Sequence, residues 1–200
     1  MTLDSHFDRF KPFGPPKTTW KGEQFLGNGT LYDLGAHLID QALVLFGLPT
    51  RIFASVRDER NASKNPDSLP GDDGFVDDAF TVQLYYDNPI PGIPTPRRGL
   101  LVNLHSSMTS LCERQVRFVA RGHDAGWVKH GQDPQEDQTR AGMDVADARF
   151  GVEAEAEWGV LTTAAGQQSP TAAARGAYAA FFANLAAAVE IGRASCRERV

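Results

Sequence analysis

Apolar residues recur along this chain with two periods, and the change between them falls at Pro49. Before it, Leu31, Leu34, Leu38, Ala42 and Leu45 return every three or four positions, the spacing that lines one stripe of a helix. Asn28-Gly29-Thr30 supplies a start and Gly47 with Pro49 a stop, so the pattern predicts a helix between them. Beyond Pro49 apolar and polar positions alternate. Ile52, Ala54 and Val56 form one such run; Phe80, Val82, Leu84 and Tyr86 form a second, set against Thr81, Gln83 and Tyr85. Leu100, Val102 and Leu104 make a third, and Val116, Phe118 and Ala120 a fourth. Four alternating runs joined by polar loops predict an antiparallel meander.

The flanks add smaller elements. Leu3 to Phe10 alternates and predicts a strand, and its closeness to Met1 is read as the sign of a truncated start. Pro12, Gly14, Pro15 and Pro16 then break the chain into a loop that runs past Trp20. Asp58 to Asp78 and Asn88 to Arg98 read as surface excursions. A short strand near Trp127, an irregular Gly131–Gly142 stretch and a strand over Trp158–Thr163 follow. A last helix, Ala172–Val189, would place Tyr178, Phe181 or Phe182, Leu185 and Val189 on one stripe. The sum over residues 1–189 is one α+β domain: an open, predominantly antiparallel sheet with helices packed on one face.

Composition narrows the partners. A hydrophobic fraction of 42% over 200 residues is enough for a buried core, and no run is long and apolar enough to span a membrane. A net charge of -5 excludes a general nucleic-acid binder, since phosphate affinity needs a basic surface. Met1 to Phe10 lacks the apolar stretch of a signal peptide, and two cysteines cannot build a disulfide framework, so a cytoplasmic setting is expected. The ending Glu190–Val200 resembles a translated sequencing adaptor and is set aside as non-native. That leaves Cys112 as the one native cysteine, with no activating neighbour in sequence and a reading as core filler.

The chemistry concentrates in Gly29-Thr30-Leu31-Tyr32-Asp33-Leu34-Gly35-Ala36-His37-Leu38-Ile39-Asp40. Asp33 and His37 stand four apart and meet on a helix; Asp40 extends their polar face while the leucines turn to the core. Gly35, inside a helix at a cost of about 1 kcal/mol, implies a close approach to the backbone there. A carboxylate–imidazole pair suits oxidation of an alcohol, because a base must take the hydroxyl proton and imidazole titrates nearest neutrality. On spacing alone a structural role, in which the pair caps and bridges neighbouring elements, stands beside the catalytic one. A metal site from Asp33, His37 and Asp40 lacks a clear further ligand, and no metal is assigned.

This run, with Asp33-Leu34-Gly35-Ala36-His37-Leu38-Ile39-Asp40-Gln41-Ala42-Leu43 at its centre, resembles the C-terminal domain of the Gfo/Idh/MocA oxidoreductases. Ser5-His6-Phe7-Asp8-Arg9-Phe10 and Trp127-Val128-Lys129-His130-Gly131-Gln132-Asp133-Pro134-Gln135-Glu136 match one branch of that family, in the same order. The resemblance implies an NAD- or NADP-dependent dehydrogenase of a sugar, cyclitol or similar polyol. It implies His37 as acid/base, Asp33 as a substrate-binding or orienting group, and Asp8, Arg9 and Asp40 as further substrate contacts. It further implies a homo-oligomer formed through the sheet face. Lys129 and His130 read as a surface pair at a strand end.

The family's dinucleotide-binding domain and its catalytic lysine are not in this chain. Gly27-Asn28-Gly29 is followed by Thr30, Leu31 and Tyr32, with no third glycine to complete G-x-G-x-x-G. NAD or NADP would therefore be bound by a domain outside this chain, which alone is expected to be inactive. Gly35 is the one candidate for a close approach. The competing reading is a non-catalytic binding or scaffolding module that reuses the same domain.

Overall fold

The computed structural model describes residues 1–13, 27–60, 75–87 and 99–190. The loop past Trp20, the 88–98 loop, most of the 58–78 loop and the adaptor-like residues 191–200 lie outside them. The described chain forms two compact units, residues 1–130 with 160–170, and residues 131–159 with 171 onward.

The first unit is built on strands β1 (Thr2–His6), β2 (Arg51–Arg57), β3 (Ala79–Tyr86), β4 (Leu100–Ser107), β5 (Phe118–Arg121) and β6 (Ala125–Lys129). With β7 (Gly159–Thr163) and β8 (Gln168–Thr171) they form one sheet in the order β2-β3-β4-β1-β5-β6-β7-β8. β2, β3 and β4 are the expected antiparallel meander. The fourth run does not continue it. β1 inserts between β4 and β5, parallel to β4 and antiparallel to β5, so the sheet is mixed though mostly antiparallel. An apolar-polar pattern fixes which face a residue takes but not which strand lies beside it.

Register explains the core. Phe80, Val82, Leu84 and Tyr86 of β3 pair across to Ser106, Leu104, Val102 and Leu100 of β4, and all eight are buried on one face. Helix α1 (Ala36–Phe46) covers that face with Leu38 and Ala42, while Leu3, Phe7, Leu31 and Val56 pack around the edge. Three expected core positions fail. Leu45 is exposed, one step past the α1 stripe, and Ile52 and Ala54 are exposed because β2 is an edge strand whose near end the helix does not cover. The strand over Leu3–Phe10 ends at His6, although Phe10 still bridges to Thr109.

The second unit carries helix α2 (Gln135–Arg140) inside the stretch read as irregular, and helix α3 (Tyr178–Glu190). Here Gln135 is buried: its amide donates to Asp133, and its carbonyl accepts from the Tyr178 N–H at 2.8 Å. The anticipated stripe of α3, Tyr178, Phe181, Phe182, Leu185 and Val189, is exposed along its length. β8 was not foreseen, because Gln168-Ser169-Pro170-Thr171 has no apolar period at all. Two side chains reverse their expected settings: Cys112 is exposed rather than core, and Lys129 is buried rather than on the surface.

Candidate functional site

α1 does not begin as an ordinary helix. Leu31–Gly35 forms a wider π turn that leads directly into it, a departure that occurs often at functional sites. No side chain of the turn caps it. The cap comes from across the sequence instead: the Leu31 N–H donates to Asp77 Oδ2 at 2.7 Å and the Thr30 N–H to the Asp77 carbonyl at 3.0 Å. A carboxylate at a helix N-terminus satisfies orphan donors and meets the positive end of the dipole. Burial nevertheless dominates and pushes the Asp77 carboxyl above its ordinary range, with the neighbouring Asp78 charge adding to the rise. Gly29 has φ +96°, and a Cβ there would collide with the Asp77 carboxylate. Sequence reasoning placed Asp77 and Asp78 in a surface loop. Asp78 is instead 1% exposed and accepts from Arg60 Nε at 2.7 Å and from the Glu59 and Arg60 amides.

The start of the helix is also fixed from beneath. A Cβ on Gly35 would lie 3.2 Å from the Phe80 ring and 2.8 Å from Leu31, so the close approach expected at this glycine is that of a core aromatic. With Gly35, Leu38 and Ala42 turned inward, Asp33, His37 and Asp40 are exposed on the same helical segment. The π turn and first α turn thus present a carboxylate and an imidazole from a base that has little freedom to shift.

The segment just after β1 and the residue ahead of β5 supply the next side chains. The Phe7 ring lies 6.4 Å from the His37 ring, and two guanidinium groups stand over Phe7, Arg9 at 5.0 Å and Arg117 at 4.5 Å. Arg117 is buried and donates to the His6 carbonyl; burial pushes it down to about 10, against the pull of the Asp8 charge. Cation–π contacts strengthen with desolvation, from about 0.5–1 kcal/mol when exposed to about 2 when dry. Arg117 therefore holds Phe7 more firmly than Arg9 does. It was not singled out from sequence; its one signal is a charge in an otherwise apolar run.

Asp8 goes elsewhere. Its side chain is 7% exposed, with Oδ1 accepting from His105 Nδ1 at 2.8 Å and from the Ser107 N–H at 2.9 Å, while Oδ2 meets His6 Nδ1 at 3.1 Å. Burial works to raise this carboxyl, but the hydrogen bonds and charges of His105 and His6 outweigh it and hold it well below the usual carboxylate range. The structure thus groups Asp33, His37 and Asp40 on the helical segment, places Phe7 beside His37 with Arg9 over the Phe7 ring, and ties Asp8 into a cluster with two histidines. His105 is 97 residues from Asp8, so no local spacing could reveal that cluster.

The Gly29 turn does not fit the phosphates of a dinucleotide. The glycine turn ahead of α1 is filled by the Asp77 carboxylate, which would repel a pyrophosphate at the helix N-terminus where such groups bind.

An open, mixed and mostly antiparallel sheet with helix α1 on one face defines an α+β domain. The chain belongs to the GFO/IDH/MocA C-terminal domain family, whose model matches residues 1–128. An uncharacterized oxidoreductase of Schizosaccharomyces pombe is 35% identical over 82% of this chain and 40% of its own length. The scyllo-inositol 2-dehydrogenase (NADP(+)) of Bacillus subtilis is 28% identical over 96% of this chain and 48% of its own. Among solved structures, an oxidoreductase of Yersinia pestis superposes with a TM-score of 0.73 at 29% identity, covering 98% of this chain and 48% of that one. The chain thus spans two-fifths to about half of the length of these relatives. No helix among the described residues is long and apolar enough to cross a membrane.

Proposed function

We propose that this chain is the substrate side of an NAD(P)-dependent oxidoreductase that acts on a sugar, cyclitol or similar polyol. The observation that carries the reading is the exposed Asp33–His37 pair on a helix start locked by Asp77, Gly35 and Phe80. Similarity to a scyllo-inositol dehydrogenase supports a ring polyol as the substrate class. On this reading a nicotinamide cofactor would be held by residues outside this chain and would supply the acceptor or donor of the hydride.

The residues of this chain bind the polyol and handle its proton. The His37 imidazole takes the proton of the hydroxyl being oxidised and returns it in the reverse direction, a role that needs a base titrating near neutrality. Asp33 orients the ring or accepts from an adjacent hydroxyl, and Asp40 extends the polar surface to a more distant one. Arg9, over Phe7 beside His37, offers donors to a substrate oxygen. Asp8 takes no part on this reading, because its oxygens are already engaged by His6, His105 and Ser107.

The test joins this chain to a dinucleotide-binding domain and assays scyllo-inositol with NADP+. His37→Ala is expected to lower kcat by about 10²–10⁴-fold, the usual worth of a general acid–base. Turnover equal to the unaltered protein would remove His37 from the mechanism.

A further inference from the structure

The sheet face turned away from α1 carries a second constellation that the proposed reaction does not use. We propose that His6, Asp8 and His105 form a binding site for a divalent cation of borderline softness, with zinc the best fit. Two imidazoles and a carboxylate are the donor set such ions select, whereas magnesium and calcium prefer oxygen alone.

Geometry supports the assignment. His6 and His105 are register partners on the parallel strands β1 and β4, so the backbone holds their rings on one side of the sheet with centroids 5.5 Å apart. Each ring directs Nδ1 at a different oxygen of Asp8, and one ligand atom from each of the three residues lies within 4.8 Å of the other two. A tetrahedral ion with bonds of about 2.0–2.1 Å separates its ligand atoms by about 3.4 Å. His6 Nδ1, 3.1 Å from Asp8 Oδ2, is already near that value, whereas His105 Nδ1 now meets Oδ1 at 2.8 Å and has a gap to close toward Oδ2 and the other ring. Both histidines are partly exposed, 23% and 31% at the side chain, and can turn to close it.

The surroundings are prepared as well. The Ser107 N–H fixes Asp8 Oδ1, leaving Oδ2 as the ligand oxygen, and the Phe7 N–H donates to the His105 carbonyl at 2.9 Å, which locks β1 against β4. Such supports around the ligands commonly change metal affinity 10–100-fold. On binding, the ion takes the Nδ1 lone pair of each neutral ring, whose single proton then sits on Nε2, and three protein ligands leave a fourth position for water. The site is independent of His37 and of the oxidoreductase reading.

Metal-free chain titrated with Zn2+ at neutral pH, followed by calorimetry, tests this directly. One ion should bind per chain with micromolar or tighter affinity. Co2+ should give the visible ligand-field bands of a nitrogen–oxygen site, without the near-ultraviolet band of a thiolate. His6→Gln and His105→Gln, which keep polar side chains of similar size, should each weaken binding by about 100-fold, and Asp8→Asn by at least about 10-fold. His123→Gln, at an exposed histidine beside Asp124, should change nothing. Circular dichroism checks that each variant is folded. Absence of stoichiometric binding to the unaltered chain, a thiolate spectrum, or equal affinity in folded His6→Gln or His105→Gln would each overturn the proposal.

Discussion

The two faces of β3 and β4 are made from the same strands, yet they do different work. On one, Phe80, Val82, Leu84, Leu100, Val102 and Leu104 are closed under α1 and shielded from water. On the other, Gln83 donates to Asn103 at 3.1 Å, Asn103 donates to Asp4 at 2.6 Å, and Asp4 pairs with Arg121 across β1 and β5. Tyr85 joins the row by donating to Gln83, and His6, Asp8 and His105 extend it toward the strand ends. Strand alternation makes the two faces equal in number of side chains but not in energy. Apolar burial contributes about 25 cal/mol per Å², whereas a polar bond exchanged for one to water nets only about 1 kcal/mol. Stability should therefore reside under α1, leaving the other face free to carry binding chemistry.

The sharpest way to break that comparison is to empty the covered face. Phe80→Ala removes a ring that packs against both Gly35 and the sheet core, and Leu38→Ala removes the fully buried contact of α1. Losses of about 3–5 and about 2–5 kcal/mol are expected, read from urea unfolding midpoints at constant m-value. A smaller loss than that from substitutions on the polar face would reverse the assignment of stability.

Asp77 asks whether burial alone holds α1 in place. Asp77→Ala leaves the Leu31 N–H without its acceptor and should cost about 1–2 kcal/mol, the worth of a helix cap. Asp77→Asn keeps an acceptor and should cost less. Their pH responses also differ. Burial raises the Asp77 carboxyl in the folded chain, so above its unfolded value of 3.8 the native state binds more protons than the unfolded state. Its contribution to stability is accordingly largest in acid and falls as pH rises through the raised folded value. Asp77→Asn cannot ionise and should lose that slope, gaining on the unaltered chain as pH rises from 4 toward 7. Parallel unfolding curves for the two proteins across that range would show that Asp77 is not buried as described.

Most of the covered face was legible in the sequence, because a period of two or of three and a half is a local signal that burial enforces. The alternating positions of β3 and β4 and the inward residues Leu34, Leu38 and Ala42 follow from it directly. What was hidden depends on contacts between distant segments. The place of β1 between β4 and β5 cannot be read from either strand, and the cap on α1 comes from Asp77, 46 residues from the amide it accepts. The candidate site divides along the same line. Asp33, His37 and Asp40 are visible as an i, i+4, i+7 series, whereas Arg117 over Phe7 and the joining of His105 to Asp8 exist only once the sheet is assembled. Exposure of the α3 stripe and of Leu45 shows the limit of the pattern itself: it names a face, not what covers it.

The smallest effect tests the polar face on its own terms. Asn103→Ala removes two hydrogen bonds and frees Gln83 Nε2 and Asp4 Oδ1, both on half-buried side chains that stay anchored by their other atoms. Asp4 keeps its ion pair with Arg121, and Gln83 keeps the Tyr85 hydroxyl. The penalty for an unsatisfied buried group is thus largely avoided, and the expected loss is about 1 kcal/mol. Combining Asn103→Ala with Asp4→Ala in a double-mutant cycle should give a coupling of about 0.5–1 kcal/mol, the size expected for neighbours that share a network and remain partly open to water. Added salt should shrink that coupling, since one partner is charged and only partly screened from solvent. A loss above about 3 kcal/mol for Asn103→Ala would make the row a second core, with the polar residues bound by mutual satisfaction as tightly as Leu38 is by burial.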